Sequence, residues 1–135
     1  MRHKTDTQSS LPEGLKLIKA KNGRQIVGTE KVLKIYEVLR AKKPVEFAKL
    51  DVAFDRWLNF HELTPHQYKE EGRHKVGDKS VRLSAFKGGG LRFYGTMVNV
   101  KGVETFISSS IAKKQSAKAR MSTLQLAAER VAGYV

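Results

Sequence analysis

The side chains in this sequence that are best suited to chemistry are basic, and they are concentrated in its second half. Residues 72–120 hold 11 lysines and arginines but only two acidic residues. Positive charge at this density binds the phosphates of a nucleic acid, and it exceeds what an ordinary solvated surface needs. The residues that we expect to contact RNA through this charge are Lys75, Lys79, Arg82, Lys101, Lys118 and Arg120.

One arginine and one tyrosine within this basic half are placed to act together. Arg92 and Tyr94 are two residues apart in a segment with the composition of a β-strand. Alternate residues of a strand point to the same face of a sheet. We therefore expect both side chains to project together from the sheet, away from the helices. There the arginine is suited to hold a phosphate, and the tyrosine ring is suited to stack on a base.

The histidines are candidates for proton transfer rather than for metal binding. Their spacing does not match that of metal ligands, and the chain has no cysteine. The sequence therefore predicts no metal and no cofactor. His66 lies beside the basic segment, and histidine is the side chain that most readily exchanges protons near neutral pH.

The glycine run and the acidic residues have structural interpretations. Gly88-Gly89-Gly90 is not followed by the Gly-Lys-Ser/Thr of a phosphate-binding loop, and it separates two predicted strands. It is therefore interpreted as a hairpin turn. The acidic residues of segment 46–71 are interpreted as the solvated face of a helix.

Length and composition limit the class of protein. The chain has 135 residues, of which 40% are hydrophobic, and its formal net charge is +13. This suits one compact domain, which we place at 15–135 after a disordered tail at 1–14. Without cysteine there is no disulfide scaffold, and no apolar run approaches the roughly 20 residues that span a membrane. We expect a cytoplasmic protein with an anionic partner and no membrane contact.

The elements that must position the basic residues follow from apolar spacing and turn signals. The sequence predicts a strand at 15–20, a helix capped by Thr29 that ends by Lys42, and a second helix that opens at Pro44. Strands follow at 81–86, 91–98 and 103–111, and a helix at 116–132. This order predicts an α+β fold with helices on one face of a small antiparallel sheet of three or four strands. The predicted core consists of Val32, Ile35, Leu39, Phe47, Leu50, Phe54, Leu83, Phe93, Phe106, Leu124 and Val131.

This order of elements, together with the segment 81–94, resembles the RelE/ParE superfamily of bacterial toxins, and especially its HigB-like branch. In that family a strand with Glu-Leu-Arg is followed by a short glycine-containing turn and by a second strand with an arginine near its start, which Arg92 matches. A Lys-Lys pair ends the third strand, as Lys113-Lys114 does here, and the C-terminal helix closes with basic and aromatic residues, here Arg130 and Tyr134. Ser84 stands where the family usually has the arginine of its first motif.

The resemblance implies a microbial-RNase-like fold and the toxin of a type II toxin–antitoxin system. Such a toxin is a ribosome-dependent, metal-independent mRNA endoribonuclease that inhibits translation. A ParE-like inhibitor of DNA gyrase and a non-catalytic basic module that binds RNA or the ribosome are the alternatives. The implied partners are a small acidic antitoxin, mRNA and the ribosome.

The resemblance also suggests how the site residues divide the chemistry. Arg92 is assigned to the phosphate, and Lys113 or Lys114 to proton transfer or phosphate contact. The secondary candidates for the catalytic site are Lys87, Tyr94, His66 and Tyr134.

Overall fold

The protein is an α+β domain, as predicted from the order of its elements. A computed structural model describes residues 11–113 and 117–135, and only the backbone of residues 117–119. The elements are β1 (Leu15–Lys21), β2 (Arg24–Thr29), α1 (Glu30–Lys42), α2 (Pro44–Leu58), β3 (Tyr68–Val76), β4 (Lys79–Gly88), β5 (Leu91–Val100), β6 (Val103–Lys113) and α3 (Ala117–Val131), followed by a 3-10 turn (Ala132–Tyr134). Of the predicted tail, residues 1–10 lie outside the described residues, and Leu11 packs against the core.

The starts of α1 and α2 are set by Thr29 and Pro44, as predicted. The side chain of Thr29 accepts a hydrogen bond from the amide of Val32 at 3.3 Å, which satisfies one of the free donors of the first turn of α1. Pro44 opens α2 at a position where its missing N–H costs no hydrogen bond. Both predicted starts are confirmed.

The sheet differs from the prediction because it has six strands and is mixed. The strand order is β1-β2-β6-β5-β4-β3. Strands β2 and β6 are parallel, and every other neighbouring pair is antiparallel. The predicted sheet of three or four antiparallel strands is therefore wrong, because it left out β2 and β3.

The helices lie on both faces of the sheet, so the predicted one-sided arrangement is also wrong. Helices α1 and α2 pack on a face that presents Ile26, Phe86, Phe93 and Phe106, which we call the aromatic face. Helix α3 packs on the opposite face, the α3 face, whose strand residues are Val27, Leu83, Ala85, Tyr94 and Ile107. The predicted core residues belong to these two layers except for Ile35, which is half-buried and belongs to neither.

The glycine run is a hairpin turn, as predicted, and it is also a contact with α2. Gly88 pairs with Leu91 across a two-residue turn, whose residues Gly89 and Gly90 have φ values of 59° and 79°. A Cβ atom on Gly89 would lie 2.5 Å from the Cα atom of Glu46 in α2. The turn therefore fits directly against the helix backbone, which fixes the start of β5.

Candidate nucleic-acid interface

An open cleft of about 260 Å³ lies beside this turn, and three of the predicted site residues line it. These are His66, Lys87 and Arg92. Lys87 and Arg92 are directly opposed in the β4–β5 register, so both side chains belong to the α3 face. His66 comes from the loop after α2, and this loop is tied to β4 because the amide of Lys87 donates to the carbonyl of Gln67 at 2.8 Å.

Two further hollows adjoin the same turn and extend the positive surface. One is lined by Lys43, Glu46 and Lys113, and the other by Lys49 and Val52. We call the basic side chains around the turn the basic rim, which consists of Lys43, Lys49, His66, Lys87, Arg92 and Lys113. Lys113 itself is exposed at the end of β6, while Lys114 lies outside the described residues.

A buried charge cluster lies behind Arg92. The side chain of Glu71 is only 2% exposed, and Arg120 donates to its Oε1 atom at 2.8 Å. Nη1 of Arg92 is 3.9 Å from Oε2 of the same carboxylate. The cluster therefore joins an edge strand, a central strand and the first turns of α3 through one buried carboxylate. It also brings together Arg92 and Arg120, which were predicted as separate contacts.

Tyr94 shares its face with Arg92, as predicted, but this face is not turned away from the helices. Helix α3 covers Tyr94, whose exposure is 0%. Burial raises the pKa of Tyr94, and its hydroxyl has no hydrogen-bond partner among the described residues. The expected stacking of this ring on a base is therefore incompatible with the structure.

Other predicted residues have structural contacts at the C-terminus. The hydroxyl of Tyr134 donates to the carbonyl of Glu13 at 3.1 Å, just before β1. Lys79 donates to the carbonyl of Ala132 at 2.8 Å and so helps to hold the chain end. From Arg120 to the end of α3 the helix rises roughly 17 Å, so Tyr134 is not brought into the cluster.

The remaining RNA-binding candidates are spread over the surface. Arg82 is exposed on the aromatic-face side, where it lines a separate hollow with Tyr68 and Ser84. Lys101 is in the β5–β6 turn, roughly 30 Å along β5 from the glycine turn. Lys75 is exposed on β3, and the side chain of Lys118 lies outside the described residues.

Sequence reasoning missed Glu71, as well as Lys43 and Lys49 of the basic rim. Glu71 was grouped with the solvated acidic residues of 46–71, yet it is buried, whereas its neighbour Glu70 is exposed. The β3–β4 register shifts between Glu70 and Arg73, and this irregularity accompanies the burial of Glu71. Two adjacent glutamates give no signal in the sequence as to which one is buried.

Comparisons with family models, with curated proteins and with solved structures found no match to this chain. Within residues 11–113 and 117–135, no group of three histidine, aspartate or glutamate side chains is placed to hold a metal ion. No helix of the same residues is both long and apolar enough to cross a membrane. Function must therefore be inferred from the residues of the site and their geometry.

Proposed function

We propose that this protein is a metal-independent endoribonuclease of the RelE/HigB toxin type, which cuts mRNA on the ribosome and so inhibits translation. The observation that carries the proposal is the convergence of His66, Lys87 and Arg92 on one open cleft. These three residues come from a loop and two strands, and each was a candidate on its own. The resemblance of segment 81–94 and of the Lys113-Lys114 pair to the toxin family supports the same reaction.

The reaction needs a base, an acid and positive charge. The 2′-hydroxyl loses its proton and attacks the adjacent phosphorus, and the bond to the 5′-oxygen breaks as that oxygen takes up a proton. The products are a 2′,3′-cyclic phosphate and a 5′-hydroxyl. Arg92 and Lys87 stabilise the additional negative charge of the phosphorane, and His66 takes the proton of the 2′-hydroxyl and returns it to the leaving 5′-oxygen. Lys113 lies across the turn, where we assign it to the neighbouring RNA backbone.

The test is cleavage of a defined mRNA by the purified protein, with and without translating ribosomes, in the presence of EDTA. We expect cuts that require ribosomes, persist in EDTA and leave cyclic phosphate ends. Lys87→Ala should slow the reaction, while Lys34→Ala, which removes the same charge from exposed α1, should not. The absence of cleavage under all these conditions contradicts the proposal.

Expression of the protein in cells distinguishes the two other functional classes. Double-strand DNA breaks after expression is induced would favour a gyrase inhibitor. RNA binding without cleavage and without an effect on growth would favour a non-catalytic module.

A free nuclease of this kind requires control, so we propose a small acidic antitoxin that covers the basic rim. Opposite charges speed association and make it sensitive to salt. The test is co-expression with the product of the neighbouring reading frame, followed by pull-down at low and at high salt. Lys113→Glu should weaken capture most at low salt, and capture unchanged by this substitution contradicts the proposed contact.

A further inference from the structure

Glu71 carries the one carboxylate that is buried in residues 11–113 and 117–135. A charge removed from water costs several kcal/mol unless it is paired and hydrogen-bonded. Arg120 provides one such partner at 2.8 Å. The second oxygen, Oε2, receives no hydrogen bond from any described residue and faces Arg92 instead.

The contact between Glu71 and Arg92 is ionic, without a hydrogen bond. The two groups are 3.9 Å apart, and Arg92 donates no hydrogen bond within the described residues. An arginine has five N–H donors in a rigid fork that matches a phosphate. The attraction of Glu71 therefore restrains the guanidinium, while its donors stay available to a ligand in the cleft.

The same geometry argues against Glu71 as the base of the reaction. One oxygen is occupied by Arg120, and the side chain is 2% exposed, whereas Arg92 is 18% exposed. A ribose hydroxyl bound in the cleft can reach Arg92 without displacing any part of the fold. It cannot reach the carboxylate, which lies behind the two guanidinium groups.

We propose that Glu71 is a positioning residue, which holds Arg92 in the orientation that receives the phosphate at the cleavage site. This assignment rests on the proposed ribonuclease function. It explains why an acidic side chain lies directly behind a site for an anion, where simple electrostatics disfavours it. The hydrogen bond from Arg120 keeps the carboxylate in place, so that Arg92 is the arginine of the pair that moves when RNA binds.

The test is Glu71→Gln, with Glu70→Gln as the matched control. Both substitutions remove one negative charge from the same strand, but Glu70 is exposed on the other side of the sheet. A purely electrostatic role predicts tighter RNA binding and unchanged or faster cleavage for Glu71→Gln. We expect unchanged or tighter binding together with single-turnover cleavage that is about 10-fold slower, as for other supporting residues of a site. Cleavage by Glu71→Gln at the rate of Glu70→Gln overturns the proposal.

Two further measurements separate the alternatives. Removal of a general base would lower the cleavage rate on the order of 1,000-fold or more. Such a loss in Glu71→Gln, together with loss of the acidic limb of the pH–rate profile, would identify Glu71 as the base and overturn the positioning role. The ¹⁵N side-chain resonances of Arg92 need no activity, and they should shift and broaden in Glu71→Gln but not in Glu70→Gln. If the parent protein cuts no RNA, the proposed function fails and these resonances alone decide the position of Arg92. If Glu71→Gln does not fold, Glu71→Asp should show the same slower cleavage and altered resonances, and parental values for both overturn the proposal.

Discussion

The two faces of the sheet differ in the side chains that fill them, and the charge cluster of the candidate site lies on only one of them. The aromatic face is filled by rings in edge-on contact, with Phe86 4.8 Å from Phe106 and 5.2 Å from Phe54 between centroids. The α3 face has small residues where sheet and helix meet, such as Ala85 of β4 and Ala127 of α3, and it bears the charge cluster around Glu71. Among the described residues, no charged side chain is buried on the first face, whereas the second combines its core with the buried Glu71 and the candidate site.

A buried hydroxyl group lies directly under α3. Ser109 of β6 donates to the carbonyl of Ala127 in α3 at 2.8 Å. Small polar residues let a helix approach closely while buried donors stay satisfied. A face built in this way tolerates a buried Glu71 beside its core, which closely packed rings do not.

The largest expected effect is on stability and comes from the aromatic face. Phe86 contacts four rings, those of Phe54, Trp57, Tyr68 and Phe106. Phe86→Ala should lower the free energy of unfolding by about 4 kcal/mol, because it removes this contact area and leaves a cavity. Leu83→Ala, its counterpart on the α3 face, should cost about 3 kcal/mol. Urea unfolding measures both, and a greater loss for Leu83→Ala would show that the rings do not dominate stability.

The next effect concerns the reaction and compares one arginine from each side of the sheet. Arg92→Ala should reduce the rate of RNA cleavage on the order of 100-fold, because a cation that stabilises the transition state contributes about 3 kcal/mol. Arg82→Ala removes the same charge from the aromatic-face side, away from the cleft. We expect cleavage within about 3-fold of the parent for Arg82→Ala, since a single exposed charge contributes little. Equal losses would mean that total charge, rather than the cleft, carries the activity.

A smaller effect is expected at the glycine turn between β4 and β5. Gly89→Ala introduces a Cβ atom 2.5 Å from Glu46 at a φ of 59°, so it should cost about 2 kcal/mol and displace α2 from this turn. Gly23→Ala is the matched control, because its φ of 82° is similarly strained but no atom lies within 4 Å. It should cost about 1 kcal/mol. Thermal unfolding of both variants checks this, and equal losses would show that backbone strain alone makes Gly89 necessary.

The spacing of apolar residues was sufficient to predict the elements whose own sequence carries an apolar pattern. The apolar stripes of α1 and α2 each bury one face, the β-favouring residues of β5 and β6 bury both faces, and the predicted ranges match closely. Strand β3 carries six charged or histidine residues among its nine, so its own sequence has no strand pattern. Pairing with β4 makes it a strand, and local reasoning does not include that pairing. Strand β2 has only six residues between a turn and a helix cap, which left no separate signal.

The candidate site was predictable only where the pattern within one strand decides the placement of a side chain. Alternation correctly placed Arg92 and Tyr94 on one face, but the face that α3 covers is decided by packing between distant segments. The burial of Tyr94 was therefore missed. Glu71 was missed because its burial accompanies a register shift in a strand that was itself not predicted.

The smallest effect tests the hydroxyl of Tyr94 on the α3 face. Because this hydroxyl is buried without a described partner, Tyr94→Phe should leave the free energy of unfolding at pH 7 unchanged or raise it by up to about 1 kcal/mol. RNA cleavage should stay within about 2-fold of the parent, since the ring does not reach the cleft. Tyr134→Phe, which removes the bond to Glu13, should lose about 1 kcal/mol.

The stability of the protein should fall at alkaline pH because of its tyrosine hydroxyls. Burial raises the pKa of Tyr94 above its ordinary value of 10.0, so the folded protein holds this proton more tightly than the unfolded chain does. The resulting stability is complete below pH 10 and is lost as the pH rises through the higher folded-state pKa. Burial also raises the pKa values of Tyr36 and Tyr68, so the parent should lose stability in alkali through all three tyrosines. Urea unfolding between pH 8 and about 11 should show a shallower decline for Tyr94→Phe than for the parent. A decline of equal slope, or a clear loss of stability at pH 7, would mean that the hydroxyl is solvated or hydrogen-bonded in solution.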